Sequence, residues 1–225
     1  MPASRLSITR GASGNHAPST GPAGSRACPF LVLEDFLLPG ELELLLRHTL
    51  SHAGDFETAR VVVHHSVRRT VQKKSRRAHV LWNAGKIGGV IRKRVRSYLP
   101  WILEGLGIRP FRVARIEAQI TASNHGDFFR KHMDNSDGVH RRRVVSYVYY
   151  FHRTPRRFAG GELLLYPTWH EDGRVVFATK ARTIAPSQNR IVFFASSALH
   201  EIRTIRCPSG ELADSRFTVN GWVSR

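Results

Sequence analysis

The hydrophobic and polar positions of the chain follow two rhythms, and the change comes near Gly107. Upstream, "FLVLEDFLLPGELELLLRHTLSH" reads as a short strand and then a helix. Its leucines recur at helical spacing, and Pro39 stands near the helix start, where its missing N–H costs nothing. A second helix is expected in "NAGKIGGVIRKRVRSYLPWILEGLG", where Ile87, Val90, Ile91, Val95 and Leu99 form an apolar stripe at steps of three and four. Arg92, Lys93 and Arg96 then fall on the open face, and Pro100 is expected to kink or end the helix.

Downstream of Gly107 the chain breaks into short β-rich runs: "FRVARIEAQITAS", "RRVVSYVYYFHR", "GELLLYP", "GRVVFATKARTIAP", "NRIVFFASS", "HEIRTIR" and "SRFTVNGWVS". Turn formers separate them at Asn135 to Gly138, Gly160-Gly161, Glu171 to Gly173, Pro186 to Asn189 and Pro208 to Gly210. Many short strands at close spacing predict a sandwich or barrel. The expected fold is α+β: a double-stranded β-helix, or jelly roll, over residues 109–225, with a helical support region over 28–108. Together these make one compact domain, 28–225. Residues 1–27 are rich in Ser, Gly, Ala and Pro and read as a disordered basic tail. An organelle-targeting peptide fits that tail less well.

Composition adds limits. At 225 residues and 41% hydrophobic content the chain can bury a proper core. No apolar run approaches the roughly 20 residues of a membrane span. Cys28 and Cys207 are the two cysteines. That excludes a cysteine-rich zinc site and suggests a reducing, cytoplasmic setting.

The net charge is +18 and it is unevenly spread. Between Thr58 and Leu103 stand twelve Lys or Arg and no Asp or Glu. Such a field attracts polyanions and acidic partners. A solvated basic face accounts for it equally well, and no helix-turn-helix, zinc-finger or aromatic RNA-binding signature accompanies the charge.

Chemistry enters with "GDFFRKHMDNSDG". His132 and Asp134 occupy alternate positions at a predicted strand end, so both can point into a barrel mouth. His200 follows 68 residues later in "FFASSALHEI", at the start of another predicted strand. Two histidines and a carboxylate on one face of a metal leave open positions, the arrangement of non-haem Fe(II) oxygenases. In "DSRFTVNGW", Arg216, Thr218 and Asn220 alternate onto one face, with Phe217 and Val219 on the other. A guanidinium there would bind a carboxylate through two parallel bonds.

Taken in order, "GDFFRKHMDN", "RRRVVSYVYYFHRTPRRFAGGELLLYP", "NRIVFFASSALHEI" and "SRFTVNGW" resemble the Fe(II)/2-oxoglutarate-dependent dioxygenase superfamily, in its prolyl-4-hydroxylase-like branch. The resemblance runs from about Phe30 to Trp222. It implies that His132, Asp134 and His200 hold Fe(II). It implies that Arg216 clamps the distal carboxylate of 2-oxoglutarate, helped by Thr218 and by Tyr150. It also implies O2 as co-reactant, ascorbate as a reductant, and hydroxylation of a C–H bond with release of succinate and CO2. Asp134 stands where halogenases of the superfamily carry a small residue. Trp222 stands where nucleic-acid demethylases carry a second arginine. Gly160 and Gly161 are expected to serve backbone geometry, and Glu162 reads as a surface carboxylate. The spacing of 16 residues from His200 to Arg216 is long, which leaves Arg203 and Arg206 as other candidates for the clamp.

A peptide, prolyl or otherwise, and a small metabolite both fit as substrate, and acidic character would suit the charge. Nucleic acid and membrane are not the expected partners. The other reading is a non-catalytic basic jelly roll that binds nucleic acid or an acidic protein. Of the remaining histidines, His64, His65, His140, His152 and His170 read as surface or structural groups. His125 is singled out because it lies in the loop leading to His132.

Overall fold

The computed structural model describes residues 28–59, 75–136, 138–172 and 174–225, together with the backbone of 61–62 and 69–70. The tail over residues 1–27, and His64 and His65, lie outside the described residues.

Two antiparallel sheets face each other. The larger has eight strands. Its main order is Phe30–Leu33, Arg190–Ala195, Arg143–Phe151, Arg216–Ser224, Gln119–Ser123, His79–Leu81 and Glu57–Thr58, and Arg115–Ile116 pairs to the side of Arg216–Ser224. The smaller sheet runs Arg182–Ile184, Leu163–Tyr166, Leu199–Ile202, Phe128–His132 and Arg76–Arg77. The chain thus folds as the expected jelly roll. The region before residue 109 is more than helical support, because it supplies strands to both sheets.

Alternation along each strand of the larger sheet divides the protein into two cores. Tyr147, Tyr149, Phe151, Phe193, Phe217 and Val219 point outward and are covered by helices α1 (Pro39–Ser51) and α2 (Gly85–Leu106). Val148, Tyr150, Val192 and Phe194 point inward and meet Leu163, Leu165 and Ile184 of the smaller sheet. At about 25 cal/mol per Å² of apolar area, such a two-sided core supplies most of the drive to fold.

Helix α2 passes through Pro100 and continues to Leu106, contrary to the expected break. Pro100 lies on the exposed side. There water can satisfy the carbonyl that lacks a partner, while Ile102, Leu103 and Leu106 beyond it are buried. The helix stops at Gly107, which takes the left-handed conformation at φ 66°. Arg92 and Val90 are half-buried, while Lys93 and Arg96 are exposed. No helix among the described residues is long and apolar enough to cross a membrane.

Candidate active site

His132 ends the Phe128–His132 strand, and His200 lies in its neighbour Leu199–Ile202, where the two are cross-strand partners. Asp134 sits just past the strand end, with its backbone N–H held by the Ser196 carbonyl at 2.9 Å. One ligand atom from each of the three lies within 4.8 Å of the others. Asp134 Oδ1 is 3.6 Å from His132 Nε2, and Asp134 Oδ2 is 3.6 Å from His200 Nε2.

The surroundings set the protonation of this trio. His132 Nδ1 faces the Arg130 carbonyl at 2.8 Å, and His200 Nδ1 faces the Ala198 carbonyl at 2.9 Å. A carbonyl only accepts, so each Nδ1 donates to it, and a neutral imidazole in that tautomer turns its Nε2 lone pair to the shared space. Burial, reinforced by His132, pulls the His200 pKa down to about 4. Burial alone would raise Asp134, but His200, His132 and the Ser146 hydroxyl together hold its carboxyl well below the usual range. Ser146 Oγ donates to Asp134 Oδ2 at 2.6 Å and lies 2.9 Å from Ser196 Oγ. Two neutral imidazoles and one carboxylate are a donor set that can hold a divalent iron.

Across the cavity stands Arg216, with 3% of its surface exposed. Its Nε and Nη2 are buried with no hydrogen-bond partner. A buried guanidinium with two nitrogens left unpaired is costly unless an anion completes it. Tyr150 is buried beside it, with its ring 5.0 Å from Arg216 Cζ and its hydroxyl likewise unpartnered. Burial raises the Tyr150 hydroxyl pKa, and the Arg216 charge opposes that. Thr218 and Asn220 line the same cavity, as the alternation predicts, and Asn220 Nδ2 donates to Thr121 Oγ1 at 2.8 Å. Tyr150 touches the guanidinium without lining the cavity.

Gly160 and Gly161 have φ of 75° and 73°. A Cβ on Gly160 would collide with the Thr204 carbonyl, and one on Gly161 would stand 2.5 Å from Arg216 Cδ. Glu162 is half-buried and outside the cavity. Arg203 and Arg206 are exposed and do not line the cavity, so they do not share the geometry of Arg216. His125 is exposed and away from the cavity as well.

Residues 118–224 match the family described as the 2OG-Fe(II) oxygenase superfamily. The matched segment holds all six residues singled out above for metal and cosubstrate. The chain is 35% identical over 195 residues to an uncharacterized PKHD-type hydroxylase of Synechocystis, spanning 86% of this chain and 62% of that relative. It therefore spans under two thirds of that curated relative. Two solved structures share its fold. A prolyl-4-hydroxylase of Pseudomonas putida superposes with a TM-score of 0.59 at 20% identity, over 87% of this chain and 92% of the other. A prolyl hydroxylase of Trichoplax adhaerens, solved with a hypoxia inducible factor peptide fragment, gives 0.61 at 18% identity, over 87% and 83%.

Two residues of this site were not singled out from the sequence. Ser146 shares the inward face with Val148 and Tyr150, so the alternation that selected Tyr150 could have found it. Arg76 reaches the cavity from an edge strand of two residues, too short to carry a periodic signal.

Proposed function

We propose that this chain is an Fe(II)- and 2-oxoglutarate-dependent hydroxylase. His132, Asp134 and His200 hold the metal, and Arg216, with Thr218 and Tyr150 beside it, holds the far carboxylate of 2-oxoglutarate. The observation that carries this is the pairing, in one cavity, of a three-donor cluster with a buried guanidinium whose Nε and Nη2 have no partner within hydrogen-bond distance. Iron bound there would couple dioxygen reduction to the conversion of 2-oxoglutarate into succinate and CO2, with hydroxylation of a substrate C–H bond. The chain's own residues orient and insulate. Arg130 and Ala198 carbonyls fix the imidazoles, Ser146 fixes the carboxylate, and Phe128, Phe129, Phe194 and Ile202 line the cavity and limit water.

Residues 28–225 act as one catalytic unit in this reading, since strands from both halves build both sheets. The substrate is a peptide or a small metabolite that carries negative charge. A groove lined by Trp82, Arg92, Arg115 and Glu117 adjoins the cavity and shares Gln119 and Trp222 with it. Arg92 of the basic stretch lines that groove, which supports an acidic substrate. A basic module without turnover would have no use for two imidazole Nε2 atoms converging on the half-buried Asp134 carboxylate.

The test is succinate release by the purified chain with Fe(II), 2-oxoglutarate and O2. His132→Ala, Asp134→Ala and His200→Ala should each lose bound iron and turnover while keeping the melting transition. Full iron content and turnover in any one of them removes that residue from the metal set.

A further inference from the structure

The cavity holds one more positive charge than the proposed chemistry needs. Among the described residues that line it, the charged side chains are Arg76, Asp134 and Arg216. His132 and His200 turn neutral nitrogens inward. A divalent metal, the Asp134 carboxylate, the Arg216 guanidinium and the two carboxylates of 2-oxoglutarate together carry no net charge. Arg76 is left over.

Its placement follows from strand geometry. Arg76 and Arg77 form an edge strand of the smaller sheet, opposite Phe129 and Phe128. Neighbours on a strand point to opposite faces. Arg77 turns outward, half exposed, and lies 3.7 Å from Asp127. Arg76 turns inward, with its guanidinium 4.7 Å from the centre of the Phe129 ring. The Phe129 ring in turn stacks on His132 at 3.5 Å. One aromatic ring therefore separates this cation from a metal-binding imidazole. Burial pulls the Arg76 pKa to about 10, with Asp134 acting the other way, so the group is charged at neutral pH. Asp134 is the one acid among the described lining residues, and a bound metal takes its charge.

We propose that Arg76 selects the primary substrate, by holding a carboxylate or phosphate oxyanion of that substrate close to the C–H bond that is oxidised. This rests on the metal and cosubstrate reading above and adds the substrate class to it. The guanidinium matches either oxyanion with two parallel hydrogen bonds. A neutral substrate would close the cavity over an unpaired cation, which disfavours it relative to an anionic one.

The test uses the full chain loaded with Zn(II) and 2-oxoglutarate, which blocks turnover. Titration of 2-oxoglutarate comes first. If the wild type fails to bind it, the underlying site reading falls and takes this assignment with it. Trifluoroacetate, followed by 19F NMR, and methylphosphonate, followed by 31P NMR, then serve as carboxylate and phosphate probes, with trifluoroacetamide as the neutral control. At least one oxyanion should bind the wild type saturably, and the neutral control should not. The tighter of the two tells carboxylate from phosphate. Arg76→Gln should weaken that binding at least tenfold, and Arg76→Lys should recover part of it. No saturable binding to the wild type overturns the proposal, as does equal binding to Arg76→Gln. A tenfold loss of 2-oxoglutarate affinity in Arg76→Gln also overturns it, because Arg76 would then be a second clamp for the cosubstrate.

Discussion

Replacing Gly161 with alanine tests how tightly the fold aims the Arg216 guanidinium. The added Cβ would stand 2.5 Å from Arg216 Cδ, 2.9 Å from Arg216 Nε and 3.0 Å from Ile205 Cγ1. The arginine cannot simply retreat, because it is buried and the Tyr150 ring lies 5.0 Å from its Cζ. The backbone adds its own cost. At φ +73° a side chain is disfavoured by roughly 1–2 kcal/mol. Overpacking adds about 1–3 kcal/mol. A loss of about 2–5 kcal/mol lowers Tm by about 4–20 °C in a domain of this size. A displaced fork that forfeits half of a charge pair worth about 2–5 kcal/mol weakens 2-oxoglutarate binding by about 5–70-fold. Gly210→Ala separates strain from displacement. Gly210 has φ +69° and nothing within 4 Å of its would-be Cβ, so that variant should show the backbone cost alone. Melting curves and calorimetric titration of the metal-loaded chain with 2-oxoglutarate read both quantities. If Gly161→Ala binds 2-oxoglutarate as the wild type does, the packing at Gly161 does not aim the guanidinium.

Other substitutions probe the same cavity from different sides. Arg216→Ala should raise the 2-oxoglutarate concentration needed for half-maximal succinate release by about 30-fold or more, and Arg216→Lys should restore part of that, since a point charge cannot replace a fork. Ser146→Ala removes the 2.6 Å hydrogen bond to Asp134 and should cost about 10–100-fold in metal affinity, measured by competition with a chelator. Reversing Arg92, Lys93 and Arg96 to Glu should slow turnover of an acidic substrate at low salt. The difference should fade towards 1 M salt, where the Debye length falls to about 3 Å. Equal rates at low salt would mark that helix face as merely solvated.

The strands that carry the site were readable because their period is two and their two sides face different cores. Arg216, Thr218 and Asn220 could be separated from Phe217 and Val219 by alternation alone, and the structure keeps that separation. The same rule reaches Ser146, which shares its face with Tyr150. Pro100 misled because local propensity favours a break, whereas burial of Ile102, Leu103 and Leu106 outweighs one missing backbone bond. Arg76 was legible only as one of twelve basic residues. Its position comes from pairing with Phe129, 53 residues away, and no local pattern encodes a pairing of two residues. Before residue 109 the expected strand is found at Phe30–Leu33, whereas Glu57–Thr58 and His79–Leu81 escaped notice for the same reason.

The strand Arg143–Phe151 faces two cores with one backbone, and this bears on how the site comes to exist during folding. A slip of one residue against its neighbours would send Tyr147 and Tyr149 inward. It would also turn Ser146, Val148 and Tyr150 towards the helices. Such a chain would lose the hydroxyl that steadies Asp134 in the same step that ruined the packing under α2. Assembly of the reactive centre and quality control of the fold are therefore one event. A molecule with Tyr147 and Tyr149 packed under the helices already has Ser146 turned towards Asp134.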